Sequence, residues 1–173
     1  MTDLSLLRST EASAQTLTYL WAATFREAYA DVHSAASLSA YCDSNFTLSA
    51  ATAALADEDT ICKIAGQIEA PKGFYVLTRK TCPIGTKRPA CELKQIYLLA
   101  PAYGTGLGKV LFEDAIGEAG KMGAKQLWLS VSNVNMRAQR FYEKRGFEHA
   151  GPGSDFHVGT DILTSSILTL QLD

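Results

Sequence analysis

The chain reads as one α/β (α+β) domain spanning residues 1–173, built around a mixed sheet, and three features of the sequence predict this. Runs that alternate apolar and polar residues mark half-buried strands, and they are separated by stretches with apolar residues at three- and four-residue spacing, which mark amphipathic helices. A length of 173 residues with 47% hydrophobic content is enough for one adequate core. Between Leu98 and Leu111 an apolar run stops at Pro101, and three alternate glycines, Gly104, Gly106 and Gly108, open a helical stretch.

In chain order, Leu4, Leu6 and Leu7 form a short apolar start suited to a first strand. Thr10 and Ser13 offer capping hydroxyls before a helix that places Leu17, Leu20, Trp21, Thr24, Phe25, Ala28 and Tyr29 on one face. Core packing accounts for Trp21, Phe25 and Tyr29. The helix end, with Phe25 and the Tyr29 hydroxyl, also suits the substrate side of a site. From Asp31 to Asp59 alanine and serine dominate, and a helix is expected from about Ser49 to Ala56, capped by Ser49.

Thr60 to Ala65 and Gly73 to Thr78 read as a hairpin turning near Glu69 to Lys72. A breaker-rich loop, Cys82 to Pro89, precedes the strand Glu92–Leu99. The helix Leu107–Met122 stops at Gly123, the strand Gln126–Ser132 alternates cleanly, and the helix Asn135–Arg145 ends at Gly146. A final strand covers Ser165 to Leu172.

A net charge of −2 excludes a general nucleic-acid binder, which would carry a basic stripe. Cys42, Cys62, Cys82 and Cys91 lack CxxC spacing and paired histidines, which favours buried thiols over a metal site or a disulfide set. The start MTDLSLLRST has no basic segment ahead of an apolar core, and no apolar run approaches the roughly 18 residues of a membrane span. A cytoplasmic protein without a membrane partner is expected.

A strand, a glycine turn and a helix start make an anion cradle, because the first helical N–H groups lack intrahelical acceptors and the helix dipole is positive there. Two nucleotide patterns fail. A P-loop needs Ser or Thr where Val110 stands, and a dinucleotide fingerprint needs its third glycine at Lys109. By themselves the glycines fit a plain tight turn as well as a ligand site.

Two motifs at the right separation resemble the Gcn5-related N-acetyltransferase (GNAT) superfamily. The first is Tyr103, Gly104, Thr105, Gly106, Leu107, Gly108; the second is NMRAQRFYEKRGF from Asn135 to Phe147, similar to the family's N-x-x-A-x-x-F-Y-x-[KR]-x-G-F helix. Tyr103 departs from the family's Gln or Arg. TFREAYAD near Thr24, ELKQIYLLAP and FHVGTDILTSSILTL are similar to the PaiA branch, whose members acetylate polyamines.

The resemblance implies a mostly antiparallel sheet flanked by helices and splayed between the strands Glu92–Leu99 and Gln126–Ser132. It implies acetyl-CoA as co-substrate, with Ile96, Tyr97 and Leu98 pairing with the pantetheine arm and Tyr103 to Lys109 holding the pyrophosphate. Asn135, Ala138 and Phe141 would border the arm, and Lys144 would reach toward phosphate; for Lys109 and Lys144 a solvated helix face fits as well. Tyr142 is implied as the acid facing the leaving thiolate, and Glu92, eleven residues before Tyr103, as base, with His149 and His157 as alternatives.

The acceptor is then a small amine such as a polyamine. A protein N-terminus or lysine is the alternative acceptor, and a non-catalytic CoA-binding regulatory domain is the alternative of another class. Homodimers are frequent in the superfamily, but no stretch of this sequence marks an interface.

Overall fold

The computed structural model describes residues 6–8, 10–85 and 87–172; Leu4 of the expected first strand lies outside them. One seven-stranded sheet runs through the molecule in the order β1 (Leu6–Arg8), β2 (Thr60–Gln67), β3 (Ala70–Arg79), β4 (Ala90–Leu98), β5 (Gln126–Ser132), β9 (Ser165–Gln171), β6 (Glu148–Pro152). Every neighbouring pair is antiparallel except β4 with β5. A separate hairpin, β7 (Phe156–Val158) and β8 (Asp161–Leu163), precedes the last strand.

Alternation along β3 divides the core. Tyr75 and Leu77 face α4 (Leu107–Lys121) and α5 (Met136–Glu143), while Phe74 and Val76 face α1 (Ala14–Tyr29) and α3 (Leu48–Ala56). Each of these four side chains is 2% exposed or less, and each large apolar side chain buried this way contributes about 1.5–3 kcal/mol. Sheet and helices thus form three layers, as expected.

The parallel pair is short. β4 and β5 are in register only at Ala90 with Gln126, Cys91 with Leu127 and Glu92 with Trp128, and then they diverge. A bulge in β4 lies beside the divergence: Leu77 pairs with Leu93 and Val76 with Gln95, so Lys94 is the extra residue. Beyond it β4 is paired only on its β3 side, whereas β5 is paired with β9 to its end. The sheet therefore opens a wedge between the two strands.

Two expectations need correction. The Ala/Ser-rich stretch contains a further helix, α2 (Ala35–Asn45), whose cap Ser34 accepts from the Ser37 N–H at 3.1 Å. The helix after it starts one residue earlier than expected, and its cap is Thr47, which accepts from the Ala50 N–H at 3.1 Å, not Ser49. At the first helix, Ser13 occupies the cap position without bonding the helix amides, and a 3-10 turn, Glu11–Ser13, leads in.

The four cysteines are buried. Among the described residues no group of three or more His, Cys, Asp and Glu side chains converges as a metal site, and no helix is long and apolar enough to cross a membrane.

Candidate active site

The wedge between β4 and β5 holds two cavities that share a wall. One, of about 230 Å³, extends toward α1 and α2; the other, of about 250 Å³, extends toward the glycine turn and α5. Each falls below the ~300 Å³ at which small-molecule sites begin, and together they fall within that range. Ile96, Tyr97, Asn135, Ala138 and Tyr142 line both, so these residues stand where the cavities meet.

Short-range rules place them. Asn135 caps α5, its side chain accepting from the Ala138 N–H at 3.1 Å, and Gln139 Nε2 donates to the carbonyls of Ser132 and Asn133 at 3.1 and 3.0 Å. The helix is thereby fixed to the end of β5. Tyr142 follows on its buried face, 8% exposed, with the Phe141 and Phe147 rings each 5.4 Å away.

Burial pushes the Tyr142 phenol above its ordinary value, outweighing the nearby Arg145 charge. Tyr97 and Tyr29 are raised for the same reason, and Ser132, Asn135 and Tyr97 stand around the Tyr29 hydroxyl. Three protonated phenols thus surround the junction.

The second cavity ends at the glycine turn. Gly104 and Gly106 have φ of +75° and +86°, conformations that favour glycine, and Gly106 is the cap of α4. Gly108 lies close beneath Phe141, whose Cε2 would be 3.4 Å from an added Cβ. None of the amides of Gly104, Thr105, Gly106 or Gly108 donates to a described protein acceptor, so the turn presents open N–H groups at a helix start. Glu27 on α1 braces the approach, its carboxylate accepting from the Ala100 N–H at 2.8 Å.

The expected site residues divide. Ile96, Tyr97, Leu98, Tyr103, Gly108, Asn135, Ala138, Phe141 and Tyr142 line the second cavity, and Phe25 and Tyr29 line the first. Gly104, Thr105, Gly106 and Leu107 form the turn. Lys109 is exposed and lies 3.6 Å from Glu113, and Lys144 is exposed at the far end of α5; neither lines a cavity.

Glu92 is not brought to the wedge. It sits where β4 and β5 are still paired, with its carboxylate 2.7 Å from Lys80 Nζ, and it lines neither cavity. His149 and His157 are exposed and also stand apart. Among the described residues, no Asp, Glu or His lines the first cavity.

Sequence reasoning missed Arg137. Its guanidinium stacks 3.5 Å from the centre of the Tyr103 ring and lines the second cavity, so the position where Tyr103 replaces the family's Gln or Arg has a cation beside it from α5. Reading Arg137 as a residue of the second motif's first turn was the available signal. Trp21, Tyr41, Phe46 and Phe156, which also wall the first cavity, offered none, because aromatic residues at helical spacing read equally as core.

The family model for the GNAT acetyltransferases matches residues 15–147. An uncharacterised N-acetyltransferase of Mycobacterium tuberculosis is 36% identical over 81 residues, 47% of this chain and 51% of its own length. The streptothricin acetyltransferase of Streptomyces lavendulae is 41% identical over 63 residues, 36% of this chain and 33% of its own. The chain thus spans about half or less of the length of these curated relatives. The PaiA N-acetyltransferase of Thermoplasma acidophilum, solved with coenzyme A, has the same fold at a TM-score of 0.81, with 18% identity over 99% of this chain and 100% of that one. With the splayed sheet, the glycine turn and the Tyr142 helix all in the matched region, the chain belongs to the GNAT acetyltransferase family.

Proposed function

We propose that this chain transfers the acetyl group of acetyl-CoA to the nitrogen of a small primary amine by direct attack. The observation that carries the reading is the meeting of two cavities at Tyr142, one ending in the open amides of a helix start and the other walled by α1 and α2. Acetyl-CoA supplies the thioester, and its sulfur leaves as a thiolate. The amides from Gly104 to Gly108 suit its pyrophosphate, with Arg137 adding positive charge. The unpaired edge of β4 from Ile96 to Leu98 suits its extended amide arm.

Tyr142 acts by donating a hydrogen bond. A thiol has a pKa of about 8.5 and an ordinary phenol about 10, so full proton transfer to a thiolate is uphill by about 2 kcal/mol before burial raises the phenol further. The raised phenol keeps its proton and stabilises charge on sulfur, and the proton that neutralises the thiolate comes from the acetylated ammonium. An alkylamine at neutral pH lies 4 to 5 kcal/mol from its free base. With no carboxylate or imidazole in the first cavity, the amine loses its proton to water on entering the low-dielectric wedge.

The resemblance to the PaiA branch points to a polyamine acceptor. The first cavity supports a small amine over a protein chain, since α1, α2 and the β7–β8 hairpin enclose it through Phe25, Tyr41 and Phe156.

The test is release of free CoA thiol from acetyl-CoA over a panel of amines and a lysine peptide. Turnover with a small amine, falling about 100-fold in Tyr142→Phe with unchanged acetyl-CoA binding, is expected. Turnover with the peptide alone sinks the small-amine reading. Tight acetyl-CoA binding with no turnover on any amine makes the chain a CoA-binding regulatory domain.

A further inference from the structure

The first cavity has an unusual wall for an amine site. Besides Tyr97 and Tyr142 at the junction, six rings face it, those of Trp21, Phe25, Tyr29, Tyr41, Phe46 and Phe156, and they form a connected cluster: Phe25 stacks on Tyr41 at 4.5 Å and meets Phe46 edge-on at 5.4 Å, and Phe156 meets Tyr29 edge-on at 6.4 Å. The charged residue on its described lining is Lys94, whose side chain is exposed and acts on Asp57. A polyamine bound here would bury a second and third ammonium with no carboxylate among the described lining residues to pair them, which is costly. One ammonium is tolerated, because ring faces attract it before it is deprotonated.

Two residues of the same lining each carry a polar atom without a partner. The Trp21 indole N–H and the Gln95 Oε1 are buried and have no hydrogen-bond partner among the described residues, with Trp21 only 7% exposed. One is a donor and the other an acceptor. Buried groups left in this state are costly unless something meets them, so their presence in residues that line a cavity marks positions for a ligand's polar group. A hydroxyl both accepts and donates, and it satisfies either atom.

We infer that the acceptor is a hydroxyaryl-alkylamine, an amine joined by a short alkyl chain to a flat aromatic ring that carries a hydroxyl. Its ring lies among the six side chains and its amine reaches the Tyr142 junction. The inference rests on the acetyl-transfer reading and narrows its substrate. In the reaction a C–N bond forms as the thioester C–S bond breaks, the amine loses its proton and the thiolate gains one, so acetyl-CoA is the sole co-reactant.

Tyramine, phenethylamine and spermidine, compared as acetyl acceptors for the full chain, test it. Tyramine should show a kcat/KM at least tenfold above spermidine and several-fold above phenethylamine. Trp21→Phe keeps an aromatic ring and removes the N–H, and it should erase the advantage of tyramine over phenethylamine. Spermidine equal to or better than tyramine overturns the inference and leaves acetyl transfer standing. If none of the three is acetylated, calorimetric binding to the CoA-loaded protein decides: tyramine bound more tightly than spermidine supports the aromatic acceptor and places the failure in the transfer reading, whereas no tyramine binding, or tighter spermidine, overturns the inference.

Discussion

The molecule has two clusters of polar groups, one joining β2 and β3 to α4 and one at the wedge between β4 and β5, and they are completed in opposite ways. In the first, Lys63 of β2 reaches Asp114 at 2.8 Å and Glu118 at 2.9 Å on α4, and the Tyr75 hydroxyl donates to Asp114 at 2.5 Å. Every group there has a protein partner. At the wedge, Trp21 and Gln95 each keep a buried polar atom without a partner among the described residues. A satisfied cluster holds the sheet to its helix; an unsatisfied one is completed by what enters the wedge. The same residue types serve stability in one place and recognition in the other, and partner supply decides which.

The sharpest way to break this contrast is to remove the cation of the satisfied cluster. Lys63→Met leaves the half-buried Asp114 and Glu118 with only Tyr75 and Lys121 as partners, and a loss of about 1 kcal/mol in urea unfolding is expected. Turnover per folded molecule should stay at the original rate, because no member of the cluster lines either cavity. A fall in kcat with stability intact would show that the two clusters are coupled.

The clusters also part in their pH windows. Hydrogen bonds from Lys63 and Lys121 hold Glu118 below the usual carboxylate value, so its contribution to stability is present above the unfolded pKa of about 4.3 and is lost as pH falls through the lower folded value. Tyr142 is raised, so its phenol stays protonated through and beyond pH 10, and it imposes no falling limb on activity below that point. With no base in the first cavity, kcat/KM should climb about tenfold per pH unit between pH 7 and 9 as the amine itself deprotonates. A plateau beginning near pH 7 would reveal a protein base at the junction.

How much of this was legible follows from which residues act locally. The glycine turn, α4, β5 and α5 were readable because each is specified by its own segment: Gly106 and Gly123 at positive φ, the apolar face Leu127, Leu129 and Val131 of β5, Asn135 as a side-chain cap. The splay came with the family motifs. What stayed hidden depends on tertiary placement. The helix α2 has little apolar periodicity, and only packing of Leu38 and Cys42 under Phe25 and Tyr29 reveals it. Glu92 carries the right residue type at the right spacing, yet the strands are still paired at its position, which leaves it against Lys80 instead of in the wedge. Arg137 became visible only when its guanidinium was seen over Tyr103.

That contact supplies a smaller test. Arg137→Ala should weaken acetyl-CoA binding about fivefold, near 1 kcal/mol for an exposed charge facing an anion, and the difference should shrink as salt is raised. Tyr103→Gln, which restores a family residue but removes the ring under the guanidinium, separates the stacking from the charge: if Arg137 acts through its charge alone, acetyl-CoA affinity is kept.

The finest contrast lies within the glycine turn. Gly106 sits at φ +86° with nothing within 4 Å of an added Cβ, so Gly106→Ala costs only the left-handed backbone, about 1 kcal/mol of stability. Gly108 is already helical, and its added methyl would stand 3.4 Å from Phe141, so Gly108→Ala should gain about 0.5 kcal/mol. Yet Gly108 lines the second cavity and Gly106 does not, so the more stable variant should show the larger rise in KM for acetyl-CoA. Urea midpoints and KM values measured on the pair would therefore move in opposite orders. If both constants followed stability, the turn would serve the fold alone, and the open amides would not be what binds the anion.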